Sequence, residues 1–179
     1  MLSYESNSEN TRTGEPVFQL SEIVVFSWRS LTFNLLKLLI TRLFPFVESI
    51  TPEALAQWLQ DPSKIQPILL DARSEAEYEL SHLWHARRID PDSPDLSALA
   101  EVSFETPIVV YCSVGYRSAA VASRLLQAGF SRVYNLEGSI FKWVNQGRAV
   151  YKGEQSTSVV HPYNWLWGKL LKLQYRGKI

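Results

Sequence analysis

The chain has 179 residues, of which 46% are hydrophobic, so it can form one well-buried domain with added segments but not comfortably two domains. Its 18 basic and 18 acidic side chains cancel, which removes the electrostatic reason to expect a nucleic-acid partner. Cys112 is the only cysteine, so an intrachain disulfide is excluded and a reducing, cytoplasmic compartment is expected. The three histidines lack a cysteine or carboxylate cluster at ligand spacing, so no metal site is predicted.

Two different segments come first along the chain. Residues 1–16 are polar and lack the apolar core of a secretory signal, so we interpret them as a mobile tail. Residues 17–45 are predicted to form an amphipathic helical segment that is ended by Pro45. Its apolar face consists of Trp28, Leu31, Leu35, Leu36, Leu39, Ile40 and Leu43, and its polar stripe consists of Ser30, Asn34, Lys37 and Thr41.

The helical segment carries three basic residues, Arg29, Lys37 and Arg42, which interrupt it too often for a membrane span of about 20 apolar residues. Two interpretations stay open. The helix either covers an edge or face of the domain, or it lies at the boundary of lipid head groups.

An alternation of capped helices and apolar strands follows. Thr51 is a good N-cap, with a proline at the next position. Residues 67–71 are apolar, as is typical of a strand in the middle of a parallel sheet. Ser74 and Glu77 have the spacing of a capping box, which predicts that a helix begins at Glu75.

The central stretch of the chain places the lone cysteine between a strand and a helix. Residues 108–111 have strand composition and run directly into Cys112, and a helical pattern then extends to Gly129. Ligands bind at the carboxyl ends of parallel strands, and the start of a helix favours the thiolate form of a cysteine. Amides of the loop and the Arg117 guanidinium would face one small volume suited to an anion or a negatively charged sulfur, with Gly115 allowing a tight turn.

The remaining sequence supplies a last strand at residues 132–136 and a helix for which Ser139 is the predicted cap, with Glu137 beside the cleft. Residues 151–179 form a Trp-rich segment with basic and apolar residues. This segment either packs on the N-terminal helix or lies with it on a membrane surface, in which case residues 23–44 and 163–176 make the peripheral contact.

Several of these motifs, taken in order, resemble the single-domain rhodanese-like (thiosulfate sulfurtransferase) family. They are Asp71-Ala72-Arg73, Glu77-Tyr78, His82-Leu83, the loop Cys112-Ser113-Val114-Gly115-Tyr116-Arg117-Ser118, and Asn135-Leu136-Glu137-Gly138 with Trp143 and Gly147. The resemblance covers roughly residues 47–150. It implies an α/β fold, a rhodanese-like domain at residues 46–150 with about five mainly parallel strands and helices on both faces, plus the flanking amphipathic helical segments.

The resemblance also implies roles for residues. Cys112 is the catalytic nucleophile, and no cofactor is needed because the cysteine itself carries the sulfur. The residues of the active-site loop that bind substrate are Ser113, Val114, Gly115, Tyr116, Arg117 and Ser118. The supporting residues are Asp71, Arg73, Glu77 and His82. Two alternatives stay open: a direct substrate contact by Arg73 if it reaches the rim, and proton transfer by His82.

The activity implied is transfer of a sulfane sulfur from thiosulfate or a persulfide donor, through a Cys112 persulfide, to a thiol, cyanide or protein acceptor. The six-residue loop from Cys112 to Arg117 has the length found in sulfur-handling members, whereas related phosphatases and arsenate reductases have one residue more. An anion hydrolase or reductase is therefore the less favoured enzyme. A binding or scaffold protein at a membrane surface is the alternative without turnover. One departure from the family is His85, which stands where the family has glycine.

Overall fold

The computed structural model describes residues 20–178, with side chains described from residue 28 onward. The predicted tail at residues 1–16 lies outside the described residues. The first described element is the helix α1, which spans Leu20–Leu43 and ends before Pro45, within the predicted helical segment.

Strands and helices then alternate along the chain, as a parallel sheet requires. In order they are β1 (Glu48–Ile50), α2 (Pro52–Gln60), β2 (Ile68–Asp71), α3 (Glu75–Leu80), β3 (Arg87–Arg88), β4 (Ile108–Tyr111), α4 (Tyr116–Gln127), β5 (Val133–Leu136) and α5 (Ser139–Asn145). Two short strands follow, β6 (Val150–Lys152) and β7 (Gln155–Thr157). Single 3₁₀ turns occur at Ser97–Leu99, Trp167–Leu170 and Leu173–Tyr175.

The main sheet has five strands in the order β1-β5-β4-β2-β3, and every neighbouring pair is parallel. In the centre, Leu70 of β2 lies beside Val110 of β4, which in turn lies beside Asn135 of β5. β6 and β7 form a separate antiparallel hairpin. The predicted α/β fold with about five mainly parallel strands is therefore confirmed.

Alternate residues of the central strands point into two apolar cores, one on each face of the sheet. Leu69 and Val109 belong to the core that is covered by α2, α5 and the C-terminal segment. Leu70 and Val110 belong to the core that is covered by α4. Burial on both faces explains why these strands read as continuous apolar runs rather than as alternating ones.

Two of the three helix caps that the sequence predicts are present in the structure. The Thr51 hydroxyl accepts a hydrogen bond from the Ala54 amide at 3.2 Å. Ser74 and Glu77 form the predicted capping box, with distances of 3.4 and 3.0 Å. The prediction that Ser139 caps α5 is wrong, because Gly138 occupies the cap position in a left-handed conformation and the Ser139 hydroxyl bonds elsewhere.

The segments at both ends of the described chain contact the domain and each other. The Arg29 side chain on α1 donates to the carbonyl oxygens of Lys169 and Leu171, at 3.2 and 3.3 Å. Leu171 is itself buried in the core under α5. Lys37 forms an ion pair with Glu137, at 2.7 Å. Polar groups and a few apolar side chains therefore fix α1 against the sheet edge.

The apolar face of α1 is mostly turned away from the domain. Of the seven side chains that define it, Leu36 packs against the core and Ile40 is buried. The other five are exposed: Trp28, Leu31, Leu35, Leu39 and Leu43. Among residues 20–178, no helix combines the length and the apolar character needed to cross a membrane.

His85 has a φ of +56°, in the left-handed region that favours glycine. The histidine therefore adopts a backbone conformation that glycine takes more readily, and its ring packs against Trp84 with centroids 4.5 Å apart.

Candidate active site

Cys112 follows the last residue of the central strand β4, at the carboxyl edge of the sheet. Its side chain is 1% exposed. The Gly115 amide donates to the Cys112 sulfur at 3.2 Å, and the Ser118 hydroxyl oxygen lies 3.5 Å from the sulfur. Gly115 has a φ of +114°, and the methyl group of an alanine there would lie 3.3 Å from Ile40 Cδ1 of α1, so glycine suits this turn both sterically and conformationally.

The electrostatics of this position favour the thiolate. Burial alone would raise the pKa of the Cys112 thiol. The positive charge of Arg117 and the hydrogen bonds from Ser118 and Gly115 act in the opposite direction and prevail, so the pKa lies below its ordinary value. A cysteine with a lowered pKa is a better nucleophile at neutral pH.

Arg117 is held in place by Glu77. Its Nη1 and Nη2 atoms each donate to one carboxylate oxygen at 2.9 Å, and Nη2 also donates to the Ser113 hydroxyl at 2.9 Å. The Ser113 hydroxyl in turn donates to Glu77 at 2.8 Å. Burial would raise the pKa of Glu77, but the Arg117 guanidinium and these hydrogen bonds lower it to about 2.

The capping box of α3 sets the position of Glu77. One of its carboxylate oxygens accepts hydrogen bonds from both the amide and the hydroxyl of Ser74, at 3.0 and 2.9 Å. The same side chain thus caps a helix and orients the arginine of the loop. The capping box of Ser74 and Glu77, which the sequence predicts, is therefore hydrogen-bonded to Arg117, 40 residues further along the chain than Glu77.

Asp71 and Arg73 form a second ion pair, which is completely buried. Arg73 donates to both carboxylate oxygens, at 2.8 and 2.7 Å, and to the carbonyl oxygen of Ser81 at 2.6 Å. The alternative in which Arg73 reaches the rim and contacts substrate is wrong, because its side chain is 0% exposed. This pair supports the ends of the strands and does not line the space around Cys112.

His82 lies away from the thiol. Its Nδ1 atom is 3.0 Å from the carbonyl oxygen of Tyr78, and its ring stacks on the Tyr78 ring with centroids 4.2 Å apart. Its backbone pairs with Tyr151. These contacts match the structural role, and nothing in this placement supports proton transfer at Cys112.

The sequence analysis named Asn135 and Ser139 but missed that these two buried side chains are hydrogen-bonded to the loop. The Asn135 side chain accepts from the Ser118 hydroxyl at 2.7 Å and donates to the Gly115 carbonyl at 3.0 Å. The Ser139 hydroxyl accepts from the Cys112 amide at 3.0 Å. The available signal was the asparagine in an otherwise apolar strand, because a buried polar side chain requires a hydrogen-bond partner.

A cavity of about 250 Å³ opens above the thiol. Its lining consists of Leu36, Leu39, Cys112, Ser113, Val114, Tyr116, Arg117, Tyr163 and Trp167. Leu36, Leu39, Tyr163 and Trp167 were also missed as site residues, since nothing in the local sequence places either end segment at the loop. A larger cavity, of about 820 Å³, contains no residue of the loop from Cys112 to Arg117.

In α/β proteins with a parallel sheet, ligands bind at the carboxyl ends of the strands, and this protein places a thiol there beside an amide donor and a guanidinium group. Residues 51–146 match the model of the family described as Rhodanese-like domain. The chain belongs to this family.

Curated relatives carry names of two kinds. The thiosulfate sulfurtransferase GlpE of Pseudomonas paraeruginosa is 32% identical over 110 residues, which are 62% of this chain and 92% of the relative. A sulfurtransferase of Allochromatium vinosum is 31% identical, over 60% of this chain and 98% of the relative. A tRNA uridine(34) hydroxylase of Chlamydia trachomatis is 27% identical, over 59% of this chain but only 34% of that longer protein. At the family level, the chain is therefore a relative of sulfurtransferases.

Solved structures show the same fold. The rhodanese-like domain from an Anabaena sp. protein matches with a TM-score of 0.53 at 19% identity, over 65% of this chain and 89% of that domain. A Bacillus halodurans protein matches with a TM-score of 0.53 at 21% identity, over 66% and 84% of the two chains.

Proposed function

We propose that this protein is a sulfurtransferase that carries a sulfane sulfur on Cys112. The observation that carries the proposal is the position of the Cys112 sulfur, which accepts a hydrogen bond from the Gly115 amide and lies 3.5 Å from the Ser118 hydroxyl oxygen at the base of an open cavity. This amide donor and the positive charge of Arg117 stabilise a negative charge on sulfur, both in the thiolate and in the persulfide that follows.

The reaction proceeds in two displacements. The Cys112 thiolate attacks the outer sulfur of thiosulfate or of a persulfide, a new S–S bond forms on Cys112, and the donor S–S bond breaks with its electron pair leaving on sulfite or on a thiolate. A thiolate or cyanide then attacks the terminal sulfur, and Cys112 leaves as a thiolate. No cofactor enters this balance, and a persulfide of this kind is suited to a reducing compartment such as the cytoplasm.

Arg117 supplies the positive charge for both steps. Three of its five N–H groups donate to Glu77 and Ser113, which fixes the plane of the guanidinium beside the cavity. Its charge already lowers the pKa of Cys112 in the free protein. The short loop from Cys112 to Arg117 favours a sulfur substrate over the larger tetrahedral oxyanion of a phosphatase or an arsenate reductase.

Intact-protein mass spectrometry after incubation with thiosulfate tests the proposal. We expect the wild type to gain the mass of one sulfur atom and to lose it on addition of cyanide. The Cys112→Ser variant is the control and should gain nothing. No adduct on wild-type protein with either thiosulfate or a small persulfide would overturn sulfur transfer from these donors.

The exposed apolar row on α1 favours a second candidate, a peripheral membrane contact. Trp28, Leu31 and Leu35 are each about half exposed, and Trp165 and Leu166 of the C-terminal segment are exposed as well. Apolar and aromatic side chains of this kind partition into the lipid head-group boundary. In this function the domain is a membrane-associated binding or scaffold protein with little turnover.

Cosedimentation with anionic phosphatidylserine vesicles tests the membrane contact on the full chain. Leu35→Glu places a charge in the apolar row and should release the protein from the vesicles. Thr41→Glu places the same charge on the polar stripe of the same helix and should leave binding unchanged. Equal cosedimentation of wild type and Leu35→Glu would contradict the contact.

A further inference from the structure

The cavity above Cys112 has walls that the family domain does not supply. The family match covers residues 51–146. Five lining residues belong to the loop, whereas Leu36 and Leu39 come from α1 and Tyr163 and Trp167 come from the C-terminal segment. Two segments outside the matched domain therefore decide what can approach the sulfur.

We propose that the sulfur substrate of this protein carries an alkyl or aryl group next to its sulfane sulfur, and that Leu36, Leu39, Tyr163 and Trp167 form the seat of that group. The proposal rests on the proposed function, because it names the substrate class of the same site.

The chemistry of the walls supports an apolar occupant. Leucine, valine and aromatic side chains surround the thiol. The two hydrophilic side chains among them, Ser113 and Arg117, are already hydrogen-bonded to the Glu77 carboxylate. A small hydrophilic donor gains nothing from hydrocarbon walls, whereas an alkyl or aryl group removes both itself and the walls from water.

Tyr163 is held in an unusual conformation that completes the seat. Its φ is +65°, in the left-handed region that a residue with a side chain rarely adopts. Its amide donates to His161 Nδ1 at 3.1 Å. The ring lies over the Arg117 guanidinium, 4.9 Å from centroid to Cζ. An aromatic face thus covers the charged residue at the cavity.

The apolar surface continues outward from the cavity. Leu39 lines the cavity and also belongs to the exposed row on α1 that includes Leu35 and Leu43. A substrate chain longer than the cavity therefore continues along an apolar surface. The fit is to an alkyl or aryl persulfide, R–S–SH, or to the corresponding thiol as acceptor.

The group R takes the same place in both directions of the reaction. When the Cys112 thiolate attacks the outer sulfur of R–S–SH, the donor S–S bond breaks and R–S⁻ leaves with the electron pair. When R–S⁻ is the acceptor, it attacks the terminal sulfur of the Cys112 persulfide and the Cys112 thiolate leaves. The seat therefore acts on donor and acceptor alike.

Two thiosulfonates that share a reacting group test the seat: methanethiosulfonate and hexanethiosulfonate. In both, Cys112 attacks the sulfane sulfur and an alkanesulfinate leaves. Each fully buried methylene is worth about fourfold, so we expect the second-order rate constant of Cys112 loading, followed by mass spectrometry, to be at least about tenfold higher for the hexane compound. Equal rate constants would overturn the proposal.

Adjacent leucines on α1 provide the matched variants. Leu38 and Leu39 are 57% and 50% exposed, and of the two only Leu39 lines the cavity. Leu39→Gln should lower the hexane-to-methane ratio by about threefold or more, whereas Leu38→Gln should leave both rate constants unchanged. A ratio that is the same in Leu39→Gln and wild type would contradict the seat.

Calorimetry on Cys112→Ser separates failure of the seat from failure of the chemistry. Hexanesulfinate should bind this variant about tenfold or more tightly than methanesulfinate, whether or not sulfur transfer occurs. Equal affinities would overturn the seat alone. Absence of sulfur loading from thiosulfate, a small persulfide and both thiosulfonates would overturn the proposed function.

Discussion

Two carboxylate–arginine pairs of the described residues, Asp71–Arg73 and Glu77–Arg117, share the same chemistry and differ in their surroundings. Asp71 and Arg73 are two residues apart and are fully buried, and their pair lies behind the strand ends. Glu77 and Arg117 are 40 residues apart, and the arginine side chain of their pair is 24% exposed at the cavity. Both pairs use two parallel hydrogen bonds, the strongest geometry for such a contact.

The positions of the two pairs give them different roles: the Asp71–Arg73 pair stabilises the fold, and the Glu77–Arg117 pair lies beside the Cys112 thiol. The buried pair has no access to a ligand, so its charge serves only the fold. In the cavity pair, Glu77 joins the capped helix α3 to the loop from Cys112 to Arg117, and Arg117 lowers the pKa of the Cys112 thiol. Changing each pair should therefore alter a different measured quantity.

The largest effect is expected for Asp71→Asn. The substitution leaves the Arg73 guanidinium buried without its counter-charge, and the free energy of unfolding should fall by about 3–5 kcal/mol. Urea denaturation measures this change. Glu79→Gln, an exposed acid on α3, is the control and should stay within about 0.5 kcal/mol of wild type. A loss below about 1 kcal/mol for Asp71→Asn would contradict the role of the buried pair.

Arg117→Gln should act on the thiol more than on the fold. Removing the positive charge should raise the pKa of Cys112, because burial raises this pKa and only the hydrogen bonds from Ser118 and Gly115 then oppose it. Sulfur loading at neutral pH should slow by about 100-fold. The pH dependence of iodoacetamide alkylation reports the pKa directly. Arg124→Gln, on the same helix but bonded to Pro91 and Asp92 carbonyls, should leave that dependence unchanged.

Acid should weaken the cavity pair in a predictable window. The pKa of Glu77 is lowered from 4.5 to about 2 in the folded protein, so its contribution is fully present above about pH 4.5 and is lost as the pH falls toward 2. Between pH 7 and pH 3 this carboxylate alone accounts for about 2 kcal/mol. The free energy of unfolding, measured at pH 7 and at pH 3, should therefore fall by about 2 kcal/mol more in wild type than in Glu77→Gln. An equal fall in the two proteins would contradict this role of Glu77.

The smallest effect is expected for an ion pair at the surface. Lys37 is half exposed, and its partner Glu137 also binds Lys142 at 2.6 Å. Lys37→Gln should therefore cost less than about 1 kcal/mol in chemical denaturation. A larger loss would mean that this single contact holds α1 on the domain. In that case, burial would no longer explain why loss of the buried Asp71–Arg73 pair lowers the free energy of unfolding more than loss of the exposed Lys37–Glu137 pair.

Much of the fold was predictable because its signals are local. The apolar runs that became β2 and β4, the cap at Thr51 and the capping box at Ser74 each involve neighbouring residues. Cys112 at the end of β4 was predictable in the same way. The family motifs then indicated the number and direction of the strands.

The rest depended on contacts between distant residues. No spacing rule links Glu77 to Arg117, or Ser139 to the Cys112 amide. The pattern of α1 did not show which side packs, because the helix is apolar on the side facing solvent and uses Arg29 and Lys37 in its contacts.

The walls of the cavity come from opposite ends of the described chain, and this sets an order during synthesis. Leu36 and Leu39 are made first, the loop at Cys112 next, and Trp167 follows 55 residues after the cysteine. At roughly 5–20 residues per second, the ribosome needs several seconds to cover that interval. Until Trp167 is made the thiol cannot be covered by this aromatic wall, so its exposure to oxidants differs between the growing chain and the finished protein.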